Sequence, residues 1–158
     1  MSYREPTAKE RLGILQSSKS VAIVGVSSNR SRSSYFVASY LNGGSYYRVY
    51  FVNPMIDTLF DQKVYNSLSE LPEVPDIVDV FRKSSETPGI LDEAISLGAK
   101  TMWLQLGVTN EEVSQRGAAA GLDVVMNRCL KIEHARFHGG LHLAGFNTGV
   151  ISSKRASS

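Results

Sequence analysis

Side chains suited to holding a ligand cluster in a few short polar stretches of this chain. Gly25-Val26-Ser27-Ser28 leads through Arg30 and Arg32 to Ser33. A glycine-entered, serine-rich turn ahead of a helix offers backbone N–H groups, hydroxyl donors and the positive end of a helix dipole, which together suit a phosphate. Further stretches follow at Asn53-Pro54, Phe81-Arg82-Lys83, Gln105 with Gly107, and Asn127-Arg128-Cys129. The cations among them, Arg30, Arg32, Arg82, Lys83 and Arg128, are expected on one rim facing a pyrophosphate. The competing reading makes Gly25 a tight strand exit and the arginines solvated surface charges.

Each stretch falls where a strand should end. Val21 to Val26 is a continuous apolar run without alternation, the pattern of a parallel strand covered on both faces. Arg48 to Val52, Ile77 to Phe81, Thr101 to Leu106 and Asp123 to Met126 read as four more strands. Between them, Phe36, Val37, Tyr40 and Leu41 recur at helical spacing until Asn42-Gly43-Gly44 stops the pattern. Thr87-Pro88 reads as an N-cap and first-turn pair for a helix ending at Gly98, and Thr109 with Glu112 as a capping box for one ending at Gly121. Thr7 and Glu10 form another capping box, opening a leading helix over about residues 7–16. Strands alternating with helices predict an α/β fold: a Rossmann-like, doubly wound, mainly parallel five-stranded sheet with flanking helices. In such sheets ligands sit beyond the carboxyl ends of the strands, where the polar stretches fall.

The 158 residues, 42% apolar and 20% charged, suit one domain over 1–158, ending in a glycine-containing segment and a flexible tail over about 139–158. A net charge of +2 gives no footprint for nucleic acid. A single cysteine excludes an internal disulfide framework, and the N-terminal segment has no apolar signal core, so a cytoplasmic protein is expected. No apolar run approaches the roughly 18 residues of a membrane span, and none is expected to meet a membrane.

The dinucleotide fingerprint fails: with Gly25 as its first glycine, the next two positions hold Ser27 and Arg30. Asn53 also stands where NAD sites carry an acidic residue, leaving NADP, through Arg30 or Arg32, as the alternative cofactor.

Taken in order, Val24-Gly25-Val26-Ser27, Arg32-Ser33, Val52-Asn53-Pro54, Asp79-Val80-Phe81-Arg82, Trp103 to Val108, Asn110-Glu111-Glu112, Ala119 to Leu122 and Asn127 to Leu130 resemble the small CoA-binding proteins. The domain of that family is similar to the CoA-binding domain of succinyl-CoA synthetase and related acyl-CoA synthetases. The resemblance covers about residues 20–137 and implies CoA or acyl-CoA in an extended groove. It implies Gly25, Ser27, Arg32 and Ser33 at the pyrophosphate, Asn53 and Pro54 on the adenosine side, Phe81 and Arg82 at the adenine or 3′-phosphate, and Gln105 and Gly107 along the pantetheine. Val26, Lys83 and Arg128 complete the candidate set. The chain departs from the family's pattern at Phe51, where proline is frequent, and at Asn127, where aspartate is. It also lacks the lysine that some larger relatives carry after Asn53-Pro54, a charge that Arg82 or Lys83 would supply.

The chain is too short to add the phosphohistidine and nucleotide-grasp domains of the synthetases, so binding without autonomous catalysis is expected. Two alternatives differ in kind: a redox protein in which the Cys129 thiol exchanges with the CoA thiol, and a CoA-binding subunit of a larger acyl-CoA enzyme. A protein partner or a homodimer fits either. His134, His138 and His142 recur every four residues, but Gly139-Gly140 breaks the helix they would share, so they are read as packing or surface residues rather than zinc ligands.

Overall fold

The structure, a computed structural model, describes residues 3–138. The expected glycine-containing segment and tail over 139–158, His142 included, lie outside the described residues. Among the described residues five α-helices and seven strands follow in the order α1 (Ala8–Ser17), β1 (Ser20–Val24), α2 (Ser33–Gly44), β2 (Arg48–Val52), β3 (Thr58–Leu59), β4 (Gln62–Tyr65), β5 (Ile77–Val80), α3 (Thr87–Leu97), β6 (Thr101–Leu104), α4 (Glu111–Ala119), β7 (Asp123–Val125) and α5 (Leu130–His138).

The strands form one sheet in the order β3-β4-β2-β1-β5-β6-β7, parallel throughout except for the β3–β4 pair. The α/β doubly wound expectation holds, with two strands more than the five expected. The additional pair is a short hairpin between β2 and β5 that carries little apolar signal: only Leu59 and Val64 are buried in it. Its turn uses Phe60 and Asp61 at positive φ, so no glycine marks it. From β1 the chain passes to β2 on one side and later to β5 on the other. The switch point is therefore the gap between the ends of β1 and β5, where such sheets leave a crevice.

Side-chain alternation splits the core into two layers. Val21, Ile23, Ile77, Trp103 and Val125 join residues of α1, α2 and α5, while Ala22, Val78, Val80, Met102, Leu104 and Val124 join residues of α3 and α4. The register sets Asp79 between Ile23 and Trp103. Asp79 is fully buried, neither carboxyl oxygen has a hydrogen-bond partner among the described residues, and burial pushes its pKa well above the ordinary value. The leading helix is fastened to α5 by a buried ion pair, Arg11 Nε to Glu133 Oε1 at 2.6 Å, and Arg11 Nη1 also donates to the Pro6 carbonyl at 2.9 Å.

The capping box of Thr7 and Glu10 is present. The expected box of Thr109 and Glu112 is not: α4 is capped by Asn110, whose side chain accepts from the Val113 N–H at 3.0 Å. Thr87 is the first helical residue rather than the cap, and its hydroxyl donates to the Ser84 carbonyl at 2.6 Å. α2 runs through Asn42-Gly43 to Gly44 instead of stopping at them.

Candidate functional site

β1 gives way to Gly25, which turns with φ +85°. A Cβ here would lie 2.7 Å from the Phe81 carbonyl oxygen and 2.6 Å from Arg82 Cδ, so only glycine lets the β1 and β5 exits meet. The Gly25 N–H donates to the Val52 carbonyl at 2.9 Å and the Phe81 N–H to the Val24 carbonyl at 2.8 Å, holding both exits to the sheet.

The loop after Gly25 is organised from within. The Ser34 hydroxyl accepts from the Ser27 N–H at 2.9 Å, Ser27 Oγ from the Asn29 N–H at 3.0 Å, and Asn29 Oδ1 from both the N–H and the hydroxyl of Ser31. It delivers Arg32 and Ser33 to the start of α2, which has no side-chain cap. The uncapped first turn leaves its positive end directed at the crevice.

Three adjoining clefts lie over the switch point. One of about 270 Å³ runs from Gly25, Ser27, Arg32 and Ser33 past Phe81, Arg82 and Lys83 to Gln105 and Leu106. A second, about 500 Å³, joins the same loop and cations to Asn53 and Glu86. A third, about 190 Å³, is bounded by Pro54, Asn66, Arg82, Glu86, Ile90 and Glu93. Arg82 lines all three, with its Nε donating to Glu86 Oε1 at 2.9 Å and its terminal Nη2 bonded to the same oxygen.

Of the expected residues, Gly25, Ser27, Arg32, Ser33, Asn53, Pro54, Phe81, Arg82, Lys83 and Gln105 therefore share one groove. Asn53 is held in place: its Nδ2 donates to the Val26 carbonyl and its Oδ1 accepts from the Met55 N–H, both at 2.8 Å. Val26 is buried, and its carbonyl is the acceptor that holds Asn53. Gln105 is buried, and its Oε1 accepts from the Leu130 N–H at 3.4 Å, tying the groove to α5. Gly107 stands outside the lining, with φ +88° and its N–H donated to Asn127 Oδ1 at 2.7 Å. The amide at position 127 thus serves as a turn acceptor.

Arg128 is not brought into the groove. β7 lies two strands beyond β5, and the Arg128 Nη2 donates to Glu5 Oε2 at 3.0 Å while its carbonyl accepts from Trp103 Nε1 at 2.9 Å. Cys129 follows it half-buried against the α5-side core. His134 is buried, its Nδ1 2.8 Å from the Tyr40 hydroxyl. Glu86 is not among the residues expected from the sequence: a four-residue spacing signals a pair on a helix, and Arg82 lies ahead of α3, which begins at Thr87.

An open, mainly parallel sheet with a crevice at its switch point and a serine- and arginine-bearing first loop defines a Rossmann-type α/β protein. The chain belongs to the CoA binding domain family, whose pattern matches residues 19–135. It is similar to the uncharacterized protein YneT of Bacillus subtilis (strain 168), with 37% identity over 132 residues, 84% of this chain and 97% of that protein. It is also similar in structure to a hypothetical protein from Pyrococcus horikoshii OT3, with TM-score 0.79 and 35% identity over 88% of this chain and 100% of the other. A dinucleotide-forming acetyl-coenzyme A synthetase of Ca. Korarchaeum cryptofilum, solved with phosphate and ADP, aligns with TM-score 0.59 and 25% identity over 69% of this chain and 26% of the synthetase.

Proposed function

We propose that this protein binds coenzyme A or an acyl-CoA along the switch-point groove and does so without catalysis of its own. The observation that carries the reading is the convergence of Gly25, Ser27, Arg32, Ser33, Arg82 and Lys83 on adjoining clefts in a chain of the CoA binding domain family. Hydroxyls, two guanidiniums and an uncapped helix start suit a pyrophosphate. The flanking clefts, one toward Pro54 and one toward Gln105, give the two arms of CoA separate directions. Among the described residues that line the groove no nucleophile is paired with a base, which favours the reading of a site that holds a ligand.

Titration calorimetry with CoA, acetyl-CoA, NADP and NAD tests this, with the Arg32→Ala, Ser33→Ala double variant as control. Selective CoA binding lost in the variant is expected. NADP binding in its place would overturn the cofactor assignment. Cys129 supplies a second reading, because Leu130, its neighbour, bonds to Gln105 at the inner end of the groove. A Cys129→Ser protein that no longer exchanges with CoA disulfide, while the wild type forms a one-to-one mixed disulfide by mass, would establish that role.

A further inference from the structure

Arg82 carries an internal partner. Its stem lies over Gly25 and its guanidinium is bonded through Nε and Nη2 to one oxygen of Glu86. Both side chains are only partly exposed, 37% and 40%, and Glu86 sits at the N-cap of α3 after the turn Ser84–Glu86, so it is carried on a fixed element. Glu86 borders the central cleft and the Pro54-side cleft alike. The Arg82–Glu86 pair therefore lies along the path that joins them.

We propose that Glu86 is an internal competitor for the ligand's phosphate, holding Arg82 until a phosphate-bearing ligand takes the guanidinium over. The proposal rests on the CoA reading of the groove for its ligand and on the pair's geometry for its mechanism. Glu86 occupies the Nε/Nη2 edge of the guanidinium, so a phosphate that takes this edge, the one suited to a paired contact, must displace the carboxylate. A diphosphate wins because it also reaches the Ser27, Arg32 and Ser33 loop, which Glu86 does not. The displaced carboxylate stays partly in solvent, so the exchange leaves no buried unpaired charge. Glu86 thereby lowers affinity for every ligand that uses Arg82 and leaves ligands without phosphate unaffected.

The test is calorimetric titration of the wild type, Glu86→Gln, Arg82→Ala and the double variant with CoA, inorganic pyrophosphate and pantetheine, alongside their urea midpoints. Loss of a part-exposed ion pair predicts that Glu86→Gln tightens CoA and pyrophosphate by about two- to fivefold. That gain should vanish in the Arg82→Ala background and be absent for pantetheine. No gain, or an equal gain with and without Arg82, would overturn the competition. If the wild type binds pyrophosphate but not CoA, the CoA reading falls while the pyrophosphate series still decides the role of Glu86. Binding of neither probe by any of the four proteins overturns both.

Discussion

Replacing Asp79 by asparagine should make the protein's stability less dependent on pH. The carboxyl lies between Ile23 and Trp103 with no hydrogen-bond partner among the described residues, and burial raises its pKa well above the ordinary 3.8. The folded chain therefore keeps a proton that the unfolded chain releases. Below the ordinary value both states are protonated and the group leaves stability unchanged. As pH rises from there toward the raised folded value, the unfolded state binds fewer protons and stability falls. The slope of that fall is about 1.4 kcal/mol per pH unit, or roughly 3–5 °C of Tm per unit for a chain of this size. Asparagine keeps the shape and cannot titrate. Urea unfolding of both proteins at pH 4, 5, 6 and 7 should show curves that begin close together and separate in favour of Asp79→Asn. Parallel stabilities across that range would refute the account of Asp79 as a protonated core residue.

Gly25→Ala should lose more than about 1 kcal/mol from the left-handed backbone alone, with a further loss from the Phe81 carbonyl contact, and should weaken CoA binding. An unchanged urea midpoint would contradict the geometry of the turn. Arg11→Met leaves the buried Glu133 with Arg136 Nη1 at 3.9 Å in place of the 2.6 Å bond and should cost up to about 3 kcal/mol, whereas Arg11→Met with Glu133→Leu should recover most of that loss. Additive losses in the double variant would show that the pair's packing, not its charge, holds α1. Asn110→Ala should cost about 1 kcal/mol through the lost cap, and Thr109→Ala should cost little. Thermal melts of the two would reverse in order if Thr109 were the cap.

Much of the sheet was readable because a strand covered on both faces must be apolar at every position, as Ser20–Val24 and Ile77–Val80 nearly are. β3 and β4 escaped because they are short and mostly exposed. Their turn takes positive φ at Phe60 and Asp61, where an aspartate without a neighbouring glycine is a weak turn signal and phenylalanine is none. The groove residues were readable for a geometric reason: strand ends at a switch point converge whatever their side chains. That reasoning fails for Arg128, which follows an outer strand and is taken by Glu5, 123 residues away. Asn110 over Thr109 was undecidable by pattern, since both residue types cap helices and only the phase of the first turn chooses.

The bond from Arg11 to Glu133 spans 122 residues and has a consequence for the chain as it is made. At a synthesis rate of 5–20 residues per second, α1 waits roughly 6–24 s for its anchor. In that interval the apolar side of α1, Ile14 and Leu15, has no α5 to cover it. α1 is thus translated well before the element it docks on, and nascent chains stalled before Glu133 should be open to proteolysis ahead of β1.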